Sequence, residues 1–311
     1  MRSSRLSRAL LHRADGRLRT LCLLVPAALL AAACAAPGAA PSGSDSGGQT
    51  VSIGVADASE NYWNVYKTKA AEAGITVNLV NFTDYNQPNP ALSQGQLQLN
   101  EFQHLQYLAN YNVKNNDTLV PIGATAVYPL PLYSLAHTSL DQIPQGGKVA
   151  IPNDPTNQAR ALLVLQSAKL ITLKDGGNSL STPNDVDTAA SRVQVLPVDA
   201  AQTAANLNGV DAAIVNNNYA TAANLGQDKV LYAEDPDSDA AKPYINAFVS
   251  RAADKDNPIY LKLAEIYHDP AVIEAAKRDL GSGGVFKTND AADLQATTAQ
   301  IEDTIRAAGR G

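Results

Sequence analysis

The sequence predicts an α/β protein built as two lobes with a cleft between them. Three observations carry this expectation. Short β-type runs alternate with helical ones, the pattern of sheets covered by helices. Two such blocks stand on either side of an apolar stretch broken by prolines, which reads as extended crossover chain. The foldable part, from about Val51 to Gly311, has the length of two domains or one large one, with no internal repeat. Clefts between domains are where small ligands usually sit.

Taken in order, "VSIGVA" (51–56) is a buried-strand pattern, and the helical stretch after it ends at Gly74, a plausible cap. "ITVNLVNF" (75–82) alternates as a strand does, and "QLQLNEF" (96–102) continues the theme. In "LVPIGATAVYPLPLYSL" (119–135), Pro121, Pro129 and Pro131 exclude a helix or a central strand and suit edges or crossovers. The second block has strand patterns at "KVAIP" (148–152), "RVQVLPV" (192–198), "DAAIVNN" (211–217) and "KVLYAED" (229–235). "YINAFVSRA" (244–252) is a further strand, and two terminal helices are expected at roughly 257–280 and 290–308.

The N-terminus has a different character. Arg2, Arg5, Arg8, Arg13, Arg17 and Arg19 precede "LCLLVPAALLAAAC", an apolar run with the flanks of a secretory signal and too short to span a bilayer comfortably. Residues 1–33 read as a signal peptide of lipoprotein type. Its end, "LLAAAC", looks like a lipobox in which Cys34 becomes the lipidated first residue, with Ala31 where most lipoboxes carry Leu. Cys22 lies inside the signal, so the mature chain would hold Cys34 alone, and one cysteine makes no internal bridge. Residues 34–50 are rich in Ala, Pro, Gly and Ser and read as a tether; the sixteen after Cys34 span roughly 20–24 Å as a flexible coil. Without the signal, 18 Lys and Arg face 29 Asp and Glu, a net charge of −11. That balance disfavours nucleic acid and anionic lipid surfaces as partners.

Catalytic chemistry finds little support. No G-x-S-x-G elbow is present, and His104, His137 and His268 have no metal-ligand spacing. "DPDSDAAK" (235–242) lacks the Gly and final Glu of a calcium loop and reads as a solvated turn. "GSGG" (281–284) follows a helix and reads as its cap rather than a phosphate loop. No cofactor is implied.

Binding chemistry is better represented. Pro155, Thr156 and Asn157 read as a helix start, which puts Arg160 in the first turn, where the dipole favours carboxylates. Either Asp154 pairs with Arg160 across the turn, or the site holds an anion from outside. His104 sits in "EFQHLQYLANY", and Tyr85, Phe102, Tyr107, Tyr111, Tyr128 and Tyr133 gather in one quarter of a chain otherwise poor in Phe and Trp. Either these are ordinary core aromatics around a satisfied histidine, or they line a pocket. Asn216, Asn217 and Asn218 end a strand, where Asn usually shapes a turn or caps a helix. Asn246 is polar within an apolar strand, and its amide can both donate and accept.

These segments resemble the methionine-binding lipoproteins of bacterial ABC importers, the NlpA-type substrate-binding proteins. The resemblance rests on "FTDYNQPNPALSQGQLQLNEFQHLQYL", "GATAVYPLPLYS", "VAIPNDPTNQARALLVLQSAKLITLKDG", "AAIVNNNYA" and "PYINAFV", together and in the family's order. It implies an α/β, two-lobed periplasmic-binding-protein-like fold of type II, with the ligand cleft between lobes. Lobe I would be 51–130 plus 245–311, and lobe II 131–244. It implies no enzyme but an extracytoplasmic lipoprotein, lipid-anchored to the membrane, delivering an amino acid to an ABC permease with a cytoplasmic ATPase. The ligand implied first is L-methionine, with a methionine-containing dipeptide or another apolar amino acid second. By the same resemblance Tyr85, Phe102, His104 and Tyr107 line the side-chain pocket, and Arg160 takes the α-carboxylate. Asn216 and Asn246 hold the carboxylate and amino ends. The chain departs from the family pattern at 95–101, "GQLQLNE", and in the loop "ADASENYWN", whose Trp63 is placed to enter the pocket.

Overall fold

The structure is a computed structural model that describes residues 49–280 and 284–309. The signal, the lipobox with Cys34, nearly all of the tether and residues 281–283 lie outside the described residues. The first elements are β1 (Thr50–Val55), α1 (Tyr62–Glu72), β2 (Thr76–Asn81), α2 (Pro88–Ser93), β3 (Leu99–Glu101) and α3 (Leu105–Asn115). Then come β4 (Leu119–Ala124), β5 (Ala126–Val127), β6 (Leu132–Tyr133), β7 (Gly147–Pro152), α4 (Pro155–Ser167), β8 (Val193–Val198) and α5 (Thr203–Asn206). The rest are β9 (Ala212–Ile214), α6 (Asn217–Ala222), β10 (Val230–Tyr232), β11 (Ala247–Arg251), α7 (Pro258–Ile266), α8 (Pro270–Asp279), β12 (Val285–Phe286) and α9 (Ala291–Ala307).

Two five-stranded sheets organise these elements, one in the order β2-β1-β3-β11-β4 and the other β10-β6-β9-β7-β8. Each has a parallel heart: β1 runs parallel to β2 and β3, and β7 to β8 and β9. Helices cover them and supply two main cores. The first sheet packs on Trp63, Tyr66 and Tyr267, with Phe248 stacked on Tyr66 at 6.0 Å. The second packs on Leu162, Leu165 and Ile214. Gly123 in β4 marks the closest approach of α7, since a side chain there would meet the Ala264 Cβ at 2.7 Å. Among the described residues no helix is long and apolar enough to cross a membrane.

The proline-rich stretch follows the expectation in part. β4, with Pro121 inside it, is an edge strand, where a missing donor costs nothing. β6, however, lies inside the second sheet between β10 and β9. It escapes the proline rule because only two residues pair and Pro131 stands just before them, its carbonyl accepting from Val215 at 3.2 Å. "QLQLNEF" pairs as a strand over 99–101 alone; before it, the Gln98 side chain accepts from the Ser52 amide in a strand's place. The helix expected over 257–280 is two. Asp269 accepts from the Ala271 amide at 2.8 Å and Pro270 takes the first position, so the chain caps and restarts there.

Candidate ligand site

The site begins with two helix starts facing one another. His104 caps α3: its Nδ1 accepts from the Tyr107 amide at 3.1 Å. That bond places the ring proton on Nε2, which donates to Asn157 Oδ1 at 3.4 Å. His104 is buried, and desolvation, with the Arg160 charge second, lowers its pKa to about 3. A neutral histidine is therefore the working species. The loop before it is stiffened by a buried amide trio. Asn89 and Gln103 exchange hydrogen bonds at 2.8 and 2.6 Å, and Asn100 donates to Asn89 at 2.9 Å.

The second start is α4, with Pro155 at its first position. Asp154 is its cap, accepting from the Asn157 amide at 2.9 Å and from Thr156 Oγ1 at 3.0 Å. Asp154 thus spends its oxygens on the helix end and does not pair with Arg160. The Arg160 guanidinium, 3% exposed, instead donates through Nη2 to Glu234 and to the Tyr128 carbonyl at 2.7 Å. Its face lies 4.1 Å from the Tyr244 ring centroid. These three contacts use one nitrogen and one face. Arg160 Nε is buried and has no hydrogen-bond partner among the described residues.

Asparagines complete the polar side. Asn157 is the hub, with its Oδ1 shared by His104 and by Asn216 Nδ2 at 3.0 Å, and its Nδ2 given to Asp154 at 3.1 Å. Asn216 stands at the cap position of α6, yet its side chain caps nothing. Its Oδ1 is buried and has no partner among the described residues. Asn217 donates to the Leu280 carbonyl at 3.2 Å, and Asn218 Oδ1 accepts from the Tyr85 hydroxyl, leaving Asn218 Nδ2 buried and unpartnered. Asn246 turns its Nδ2 to the Ala126 and Tyr244 carbonyls at 3.3 and 3.4 Å, and its backbone bridges His104.

All seven residues singled out from the sequence (Tyr85, Phe102, His104, Tyr107, Arg160, Asn216 and Asn246) line one cavity of about 80 Å³. That is several times the roughly 10–15 Å³ one water needs. Phe102 lies 6.0 Å from Tyr85 and 5.8 Å from Tyr107 between ring centroids, so three aromatics form one wall. Tyr107 donates to the Tyr85 carbonyl at 3.0 Å, which holds that wall together. Tyr128 also lines the cavity, whereas Tyr111 and Tyr133 pack in separate apolar clusters. Trp63 does not enter the cavity. It is wholly buried, donating to Asp57 at 2.8 Å, and its neighbour Tyr62 lines the cavity instead.

Sequence reasoning missed Asn157, Asn218, Asp57, Glu101 and Glu234. Asn157 was legible as a helix-start residue, and Asn218 was hidden in a run of three asparagines. For the acids no local signal exists, since their burial is a tertiary fact.

Residues 51–289 match the family described as NlpA lipoprotein. The chain belongs to that family. It is 37% identical over 239 residues to a probable D-methionine-binding lipoprotein of Haemophilus influenzae, covering 76% of this chain and 86% of the relative. Among solved structures it resembles a nutrient-binding protein of Burkholderia cenocepacia bound to methionine, with a TM-score of 0.71, 38% identity, and 76% and 99% of the two chains covered. It also resembles the substrate-binding protein of a methionine transporter from Streptococcus pneumoniae, with a TM-score of 0.71, 34% identity, and 76% and 95% coverage. The chain has the two-lobed α/β architecture of these neighbours and is, like them, a binding protein rather than an enzyme.

Proposed function

We propose that this NlpA lipoprotein is the exported, lipid-anchored binding component of an ABC importer, and that it captures a free α-amino acid for its permease, L-methionine first. The lobes that close on the ligand are 51–130 plus 245–311 and 131–244, matching the membership of the two main sheets. One observation carries the reading. Among the described residues three buried polar atoms of the cavity have no partner: Arg160 Nε and Asn218 Nδ2 are donors, and Asn216 Oδ1 is an acceptor. Buried polar groups are normally paired, and each left unpaired costs about 1–3 kcal/mol. Two donors suit a carboxylate and one acceptor suits an ammonium, the two ends of an amino acid.

Arg160 takes the α-carboxylate, and Asn216 and Asn246 hold the two ends between them, with Asn216 Oδ1 turned to the ammonium. Tyr85, Phe102, His104 and Tyr107 enclose the side chain. A thioether suits such a wall through S–aromatic contacts of about 0.3–1.5 kcal/mol. The names of the relatives point to the same ligand class. Cys34 carries the lipid, and the tether holds the domain near the permease.

The test is mass spectrometry of small molecules released by denaturing freshly purified protein, followed by thermal shift on refolded protein. Methionine should be recovered, and L-methionine should raise the melting temperature more than D-methionine, leucine, glutamine or histidine at equal concentration. Equal shifts for all would remove methionine from first place. Cys34→Ser should move the protein from the membrane fraction to the soluble one; an unchanged distribution would defeat the anchor.

A further inference from the structure

One wall of the same cavity carries a group that a thioether leaves without a partner. Glu101, at the end of β3, lines the cavity and is 6% exposed. Its Oε1 accepts from Thr125 Oγ1 at 2.8 Å, and its other oxygen has no partner among the described residues. Asp57, from the loop after β1, is nearby but satisfied: Trp63 Nε1 and the Tyr62 hydroxyl each donate to it at 2.8 Å. Glu101 is therefore the carboxyl with an oxygen to spare.

Among the described residues the groups that interact with Glu101 are Asp57 in the loop after β1, Tyr62 and Tyr66 on α1, Tyr128 after β5, and Tyr267 after α7; Arg160 and His104 line the same cavity. The adjacent His268 is turned to the Ala124 carbonyl at 2.8 Å. Burial first, and the Asp57 charge second, push the Glu101 carboxyl up to about 8. In the empty cleft at neutral pH it is mostly the neutral acid. An apolar side chain tolerates that form but leaves the spare oxygen desolvated. A cation would pair with the ionised form.

We propose that the cleft takes a second ligand class besides methionine, an α-amino acid whose side chain ends in a primary ammonium, and that Glu101 is the residue that selects it. The inference rests on the reading that Arg160 and Asn216 hold the ends of an amino acid, and changes only the side-chain end. Arg160, 3% exposed with Nε unpartnered, supplies independent evidence of a ligand at this cavity. Binding is a proton exchange. The ligand keeps its ammonium proton, and Glu101 releases its carboxyl proton to solvent as the ion pair forms.

The sign follows from that release. Below pH 8 each bound cation must displace a proton, so affinity for it rises with pH by up to about tenfold per unit and levels off above 8. Methionine, packed against the neutral acid, shows no such rise and weakens once Glu101 ionises. The experiment is calorimetric titration of the whole protein, stripped of ligand, with L-lysine, L-ornithine and L-methionine across this pH range. Two buffers of different ionisation enthalpy report the proton count. In the wild type, lysine or ornithine should bind with release of close to one proton at about pH 6. Glu101→Gln should abolish the release and weaken the amine ligand at least about tenfold at pH 8. Methionine binding without lysine or ornithine binding would overturn the inference alone. So would lysine binding with no proton release, a measurement that needs no variant. Failure of every amino acid to bind would overturn the amino-acid reading itself, and this inference with it.

Discussion

Arg160, on α4, and Arg251, at the end of β11, both hydrogen-bond back into the protein, and they are used in opposite ways. Arg251, at the end of β11, donates Nη1 to the Leu92 and Leu97 carbonyls at 2.9 and 2.6 Å and pairs Nη2 with Asp254 at 2.7 Å. It ties the turn after α2 to the sheet, and no buried atom of it lacks a partner. Arg160 is more deeply buried, yet it keeps Nε unpartnered beside a cavity. Arg251 spends its donors on the protein; Arg160 holds one back. Glu234, the Tyr128 carbonyl and the Tyr244 ring fix the Arg160 plane while leaving that donor unused.

The sharpest test of the contrast is Arg160→Ala. Losing one partner of a buried charged pair costs roughly 2–5 kcal/mol of binding, so methionine affinity should fall about thirtyfold or more. The variant also unpairs Glu234, so a modest drop in apo melting temperature is expected with it. Calorimetric titration beside an apo melting curve separates the effects. Unchanged affinity with a lower melting point would make Arg160 a second Arg251.

Arg251→Ala should do the reverse. Hydrogen bonds to charged groups contribute about 1.5–3 kcal/mol, and two carbonyls lose their donor. Urea unfolding should show that loss, with ligand affinity within about threefold. A large affinity change would break the distinction.

Tyr85→Phe probes the wall between these extremes. It removes the hydroxyl that Asn218 accepts and keeps the ring. The expected cost is about 0.5–1.5 kcal/mol, or roughly twofold to tenfold in affinity. An unchanged Kd would show that Asn218 needs no such orientation.

The smallest effect is a change of slope with pH. The His104 pKa is depressed from 6.5 to about 3, so the unfolded chain takes up a proton that the folded one refuses. Its contribution is fully present above pH 6.5 and is lost as pH falls toward 3. Glu101 works oppositely: raised from 4.5 to about 8, it favours folding below 4.5 and loses that contribution as pH rises through 8. His104→Asn, which can still cap α3, should flatten the acid limb of a melting-temperature profile and leave the alkaline limb alone. An acid limb as steep as the wild type's would remove His104 as its source.

Much of this was legible locally. Pro155 marked the start of α4, Pro121 marked an edge strand, and Gly74, at φ 76°, followed the end of α1 as a cap glycine does. The seven candidate residues converge on one cavity because short motifs fix a side chain's place relative to a strand or helix end. The partners were not legible. Asp154 was the nearest acid to Arg160 in sequence, but the helix amides claimed it first, and Glu234, 74 residues away, took the guanidinium. Asn157 looked like one more helix-start residue and proved to be the junction of His104 and Asn216.

By itself the sequence determined the α/β alternation, the acidic charge and the polar and aromatic residue types that line the cavity. Tertiary structure decided which polar atoms were satisfied and which had no partner among the described residues. It also decided that Trp63 belongs to the core, and that Glu101 sits desolvated in the wall of the cleft. The reason is range. Capping and strand patterning act over three or four residues, where sequence spacing is geometry. Desolvation and charge pairing depend on what the rest of the chain brings within a few ångströms, which sequence spacing does not encode.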